Sequence, residues 1–274
     1  MPKFAANLSW LYQELPFLDR FDAAARSHFK AVEFLFPYSL SPDDIVARLT
    51  DNGLTAVLFN LPPGDFDRGE RGLAALPGRE HDFKASVEEG LAYAEALQVM
   101  RLHVMAGITQ DIDSERAQAT YLNNLSFILD KTHGSDLTIT IEPINNRDFP
   151  GYFLTTLEQA AAILDVLRHP RLKLQLDWYH LQIMGGDLTN RTIHFLPQVG
   201  HIQVAGVPER NEPDRGEVNF PHLFRLVDQL GYEGWIGCEY KPATRTETGL
   251  NWLTSLNHAV PNSAVGPGES VNRC

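Results

Sequence analysis

The sequence predicts an α/β fold, a single-domain (β/α)8 barrel of the TIM type, on three observations. Short apolar, β-branched runs alternate eight times with amphipathic segments, and such alternation implies a parallel sheet. Eight units in roughly 255 residues match the size of a closed barrel. No Gly-x-Gly-x-x-Gly turn follows the first strand and no linker divides the chain, which disfavours the open doubly wound sheet.

The elements follow in order. KFAANLS (3–9) is the first strand, and LDRFDAAARSHF (18–29) has apolar residues at helical spacing. AVEFLF (31–36) is the second strand. SPDDIVARLTDNG (41–53) is a capped helix, with Ser41 at the N-cap, Pro42 at the first position, acids in the first turn and Gly53 at the exit. LTAVLFN (54–60) is the third strand. The Gly/Pro-rich stretch LPPGDFDRGERGLAALPGRE (61–80) is a long loop, of a length that is usually functional or disordered. DFKASVEEGLAYAEALQV (82–99) is a helix, RLHVMAG (101–107) the fourth strand, and DSERAQATYLNNLSFILDKTHG (113–134) a long helix. LTITIEP (137–143), LKLQLD (172–177), VGHIQVAG (199–206) and GWIGCEY (234–240) are strands five to eight. They alternate with helices at 156–169, 187–196, 220–231 and 246–256. Residues 1–256 form the barrel; the polar, Pro/Gly-rich 257–274 reads as a flexible tail.

Composition narrows the function. The 274 residues are 43% hydrophobic, ample for a large core. A formal net charge of −12 repels phosphate backbones, against general nucleic-acid binding. Two cysteines, Cys238 and Cys274, make no disulfide framework and suit a reducing, cytoplasmic compartment. The start, MPKFAANLSW, lacks the apolar core of a signal peptide, and no apolar run reaches a membrane span.

Barrel active sites lie at the C-terminal ends of the strands. Those ends carry Asn7, Glu33, Asn60 and His103 on the first four strands, then Glu142, Asp177, Gln203 and Glu239 on the last four. A single Glu at a strand end is more often a solvated loop residue, Asp177 alone serves as a cap for DWYH, and Gln203 alone satisfies loop backbone. Four oxygen donors on successive strands are a different matter. Three converging carboxylates repel unless a cation sits between them, and oxygen-only ligands favour Mg2+ or Mn2+ over Zn2+. His180, three residues after Asp177, is a ligand, a substrate hydrogen-bonder or a packing residue. Arg147, beside Asp148, and Arg210 are placed to hold a substrate carboxylate. Asn7 is a further candidate at the mouth. Arg68, Arg71 and Arg79, with Glu70 and His81, suggest an anion site or lid in the 61–80 loop, with Arg71 the candidate substrate contact.

FAANLSW, AVEFLFPY, FNLPPGDFDRGERGLAALPGRE, IEPINNRDFPGYFLT, LQLDWYHLQIMGGDLT, HIQVAGVPERNEPDRGEVNFPHLF and GYEGWIGCEYKP together resemble the hydroxypyruvate isomerase family of xylose-isomerase-like barrels. The resemblance covers nearly the whole chain up to the last helix. It implies an isomerase of small 2-oxo acids without an organic cofactor, in which Glu142 and Glu239 donate and accept the proton. It also implies a metal held by Glu142, Asp177, Gln203 and Glu239. Related sugar epimerases carry His where Gln203 stands, which argues against ketose epimerisation. IEPINNRDFPGYF is closer to the hydroxypyruvate branch, whereas LPGREHDF, LHVMAG and VAGVPERNEPD are closer to 2-oxo-tetronate isomerase. The expected reaction is interconversion of hydroxypyruvate and tartronate semialdehyde. The alternative is conversion of 2-dehydrotetronate to 3-dehydrotetronate, and a sugar epimerase or an endonuclease IV-like nuclease is more distant. Expected partners are the small 2-oxo acid and, at most, further copies of the chain, with no nucleic acid and no membrane.

Overall fold

The computed structural model describes residues 2–253. Eight strands close into one barrel in sequence order, all neighbours parallel. They are β1 (Lys3–Asn7), β2 (Ala31–Phe34), β3 (Thr55–Asn60), β4 (Arg101–His103), β5 (Thr138–Ile141), β6 (Leu172–Asp177), β7 (Val199–Val204) and β8 (Trp235–Cys238). The helices are α1 (Asp19–Arg26), α2 (Pro42–Asn52), α3 (Glu80–Leu97), α4 (Ser114–Lys131), α5 (Leu157–Leu167), α6 (Trp178–Met184), α7 (Leu188–Phe195), α8 (Phe220–Gln229) and α9 (Thr246–Gly249). The tail expected over 257–274 lies outside the described residues.

Local signals account for the boundaries. At α2, Ser41 accepts from the Asp43 N–H, Pro42 opens the helix and Gly53 ends it left-handed at φ 60°, as its sequence predicts. One helix was not expected. After β6 the chain turns at once into α6, because the Asp177 carboxylate accepts from the Tyr179 N–H at 2.8 Å and starts it. The run 101–107 is strand only as far as His103. Beyond it, Ala106 bridges Gly72 of the long β3–α3 loop, and Ala75 N–H donates to the Ala106 carbonyl at 2.7 Å. That close approach demands glycine. Gly72 sits at φ +115°, and a Cβ there would stand 2.3 Å from the Met105 carbonyl oxygen. The loop is therefore stapled to the top of the barrel.

The main core lies between the strands and the helix ring, with Leu102, Ile139, Ile141, Leu174, Leu176 and Ile202 buried in it. The interior of the barrel differs. Ala5, Ala31 and Val57 form a small separate cluster against Trp235. Two residues along from Ala5 and Ala31, on the same face, stand Asn7 and Glu33, buried and polar. Room for Glu33 is left by β8: a Cβ at Gly237 would lie 2.2 Å from its carboxylate. The small apolar layer is thus roofed by a polar one, which carries the site.

Candidate active site

Parallel strands bring Glu142, Asp177 and Glu239 to the same end of the barrel, each under a tenth exposed. One oxygen from each of Glu142 and Asp177 and one nitrogen of His180 lie within 4.8 Å of one another. Glu239 joins through Arg210, whose Nη2 is 2.8 Å from Glu239 Oε1 and 3.8 Å from Asp177 Oδ2. Gln203 lies beneath. Its amide nitrogen donates to Glu239 and, at 2.8 Å, to Glu33; its oxygen accepts from Gln175 at 2.7 Å. Gln175 also donates to Glu142 Oε2 at 3.2 Å.

The electrostatics are those of negative charge held out of water. Burial first, then Glu239 and Asp177, pushes the Glu142 carboxyl well above its ordinary range. Burial raises Glu239 and Asp177 too, and Arg210 pulls both back. Asp177 Oδ2 is buried without a hydrogen-bond partner, although a carboxylate oxygen accepts readily. Burial drives His103 down to about 3 and His180 well below the usual imidazole value, so both are neutral. Crowded carboxylates with an orphaned acceptor among them suit a cation at this point.

Above the carboxylates opens a cavity of about 490 Å3, whose lining includes Trp10, Asn60, His103, Tyr179, His180 and Arg210. Arg210 is clamped there, its guanidinium 4.4 Å from the Trp10 ring and 4.7 Å from the Tyr179 ring. Its left-handed backbone (φ 56°) is tied down by Lys241 N–H on its carbonyl at 2.7 Å.

The other expected contacts lie elsewhere. Asn7 does not line the cavity; its amide donates to Glu33 at 2.9 Å and to Glu239 at 3.4 Å, so it braces a carboxylate. Arg147 is exposed, held by its backbone to Asn145. Arg71 stacks 3.8 Å from Phe66 and 5.3 Å from Phe149 and donates to the carbonyls of Phe66 and Glu70. It backs two rings that line the cavity. In the same loop Arg79 is engaged by Glu70 and Asp82, while Arg68 and His81 are largely solvent-exposed.

Sequence reasoning missed Gln175, Asn145, Trp10 and Tyr179 as parts of the site. Gln175 was within reach, because it shares a strand face with Asp177 two residues on. The rings were not, since an aromatic after a strand reads as ordinary packing.

Residues 21–256 match the model of the xylose isomerase-like TIM barrel family. The chain belongs to this family. Among its relatives, a 2-oxo-tetronate isomerase of Cupriavidus necator is 53% identical over 92% of this chain and 98% of its own length. The hydroxypyruvate isomerase of Escherichia coli is 42% identical over the same shares. A crystal structure from Brucella melitensis, described as an AP endonuclease of family 2, superposes with a TM-score of 0.92 at 45% identity, covering 93% of this chain and 99% of that one. A 3-keto-D-glucoside 4-epimerase of E. coli, at a TM-score of 0.76 but 17% identity, shares the family's barrel. No helix among the described residues is long and apolar enough to cross a membrane.

Proposed function

We propose that the protein is an isomerase of short 2-oxo acids that moves a carbonyl by one carbon, interconverting hydroxypyruvate and tartronate semialdehyde. The observation that carries this is the pair Glu142 and Glu239, both buried beneath a cavity that also presents a clamped arginine. The reaction needs a base to take a proton from the CH2OH carbon next to the ketone and an acid to return one to the neighbouring carbon. Glu142 and Glu239 fill these two roles. Two carboxyls buried at the floor of one cavity suit proton transfer to and from carbon. Arg210 and the neutral His180 face the substrate oxygens, Arg210 stabilising negative charge as the enediolate forms. Trp10 and Tyr179 hold the guanidinium in place and exclude water.

Glu142, Asp177, Gln203 and Glu239 would hold Mg2+ or Mn2+, which when bound supplies Lewis-acid stabilisation of developing oxygen charge. No organic cofactor enters this chemistry. The partners we assign are the 2-oxo acid and, at most, further copies of the chain, without membrane or nucleic acid, the last supported by the net charge of −12; the two cysteines without a disulfide framework support a cytoplasmic setting.

A second substrate, 2-oxo-tetronate, is favoured by the 53% identity to a 2-oxo-tetronate isomerase and by a cavity of about 490 Å3, roomy for a three-carbon acid. Proton NMR in deuterated water, with Mg2+ or Mn2+ and each acid in turn, tests both. Isomerisation with deuterium entering the transferred position is expected; absence of turnover and exchange with either acid would reject the proposal.

A further inference from the structure

Glu142, Asp177 and His180 lie close enough together to look like one metal triad. The hydrogen bonds behind His180 say otherwise. His180 Nδ1 is 3.3 Å from the backbone nitrogen of Asn145, and a peptide N–H only donates, so Nδ1 must carry its lone pair. The Asn145 side chain repeats the instruction, with Nδ2 2.6 Å from the same ring nitrogen. Which end of that amide is nitrogen is settled on the far side. Asn145 Oδ1 accepts from the backbone N–H of Arg147 at 3.0 Å and of Asp148 at 2.8 Å, while Nδ2 also donates to Asp148 Oδ2 at 3.1 Å. Asn145 is wholly buried and cannot turn to water instead.

A neutral imidazole that accepts at Nδ1 has its proton on Nε2. Nε2 is the atom on the site side, 3.6 Å from Asp177 Oδ2 and 3.9 Å from Glu142 Oε1. A protonated ring nitrogen has no lone pair for a cation. We propose that Asn145 is a positioning residue that locks His180 in the Nε2–H form, keeping the ring out of the ligand set of any bound cation and aiming a hydrogen-bond donor at an oxygen of the bound acid. The second half of this statement rests on the 2-oxo acid reading; the tautomer and the exclusion from the ligand set do not.

The test uses the full chain with 15N-labelled histidine and no metal. Long-range 1H–15N spectra identify the His180 ring by its absence in His180→Gln. The expected pattern is a protonated Nε2 and a bare Nδ1. Asn145→Asp keeps an acceptor for the Arg147 and Asp148 N–H groups but replaces the donor facing Nδ1 with a carboxylate oxygen. It should move a proton onto Nδ1. A wild-type ring protonated at Nδ1 would overturn the tautomer; a pattern unchanged in Asn145→Asp would overturn the Asn145 side chain's part in it, because the Asn145 backbone N–H still faces Nδ1 in that variant. In parallel, Mn2+ titration of His180→Gln should show affinity within about a hundredfold of wild type, the range for a neighbour of a ligand, and a larger loss would make His180 a ligand after all. Failure to isomerise either acid with these results intact would sink the functional reading and leave the tautomer standing.

Discussion

Two buried glutamates at the top of the barrel, Glu33 on β2 and Glu142 just past β5, stand in chemically different surroundings. Glu33, on β2, is fully buried, and three side chains address its carboxylate: Asn7 at 2.9 Å, Gln203 at 2.8 Å and His201 at 2.6 Å. Glu142, just past β5, has Gln175 at 3.2 Å and faces the neutral His103 at 3.6 Å, with Glu239 and Asp177 raising its pKa further. Glu33 has donors on both of its oxygens, two of them from β7. Glu142 has one hydrogen-bond donor, Gln175, and two carboxylate neighbours. A buried carboxyl with its partners supplied belongs to the scaffold, and one left short marks where a ligand is to be held.

The largest expected effect comes from removing the chemistry while keeping the shape. Glu142→Gln or Glu239→Gln should lower turnover about a thousandfold, about 4 kcal/mol of barrier, with the circular dichroism spectrum unchanged. Near-wild-type turnover in either would break the contrast. Next comes the scaffold glutamate. Glu33→Ala should destabilise by about 3 kcal/mol, read by urea unfolding, because it strands His201 and frees the Gln203 amide. If Glu33→Ala unfolded like wild type but lost turnover as completely as Glu142→Gln, the scaffold role would be wrong.

A pH series sharpens the comparison further. The Glu142 carboxyl is raised in the fold above its ordinary 4.5. Between the two values the native state holds more protons than the unfolded chain, so stability falls as pH rises through that window. Metal-free protein should therefore lose Tm on going from about pH 5 towards neutrality. Mg2+ or Mn2+ should restore it, and Glu142→Gln should flatten the slope. A Tm of the metal-free protein that climbs over this window would contradict the crowded-carboxylate picture. The smallest effect lies away from both glutamates: Ser41→Ala removes the α2 cap and should cost about 1 kcal/mol with kcat/KM unchanged.

Most of the barrel was legible because its signals are local. Ser41, Pro42 and Gly53 delimit α2 whatever surrounds them, and LKLQLD matches β6 residue for residue. The strand-end rule likewise placed Glu142, Asp177, Gln203 and Glu239 at one end before any coordinates. What it could not supply was partnership. Asn7 stands at the mouth in sequence but spends its amide on Glu33 and Glu239. Arg71 and Arg147, alike as loop cations, part company, one packed on rings and one in solvent. Helix α6 was missed because its start depends on a carboxylate that reads equally well as a ligand.

That double reading of Asp177 has a consequence of its own. One oxygen starts α6 and the other, unpartnered, faces the site. The residue is a hinge pin shared by the reaction centre and a helix that carries Tyr179 and His180. Whatever draws the free oxygen forward also tugs on the first turn of that helix. The Tyr179 amide proton is thus a built-in gauge of occupancy, and its exchange with solvent should slow or quicken as the site fills, far from any change in the barrel strands.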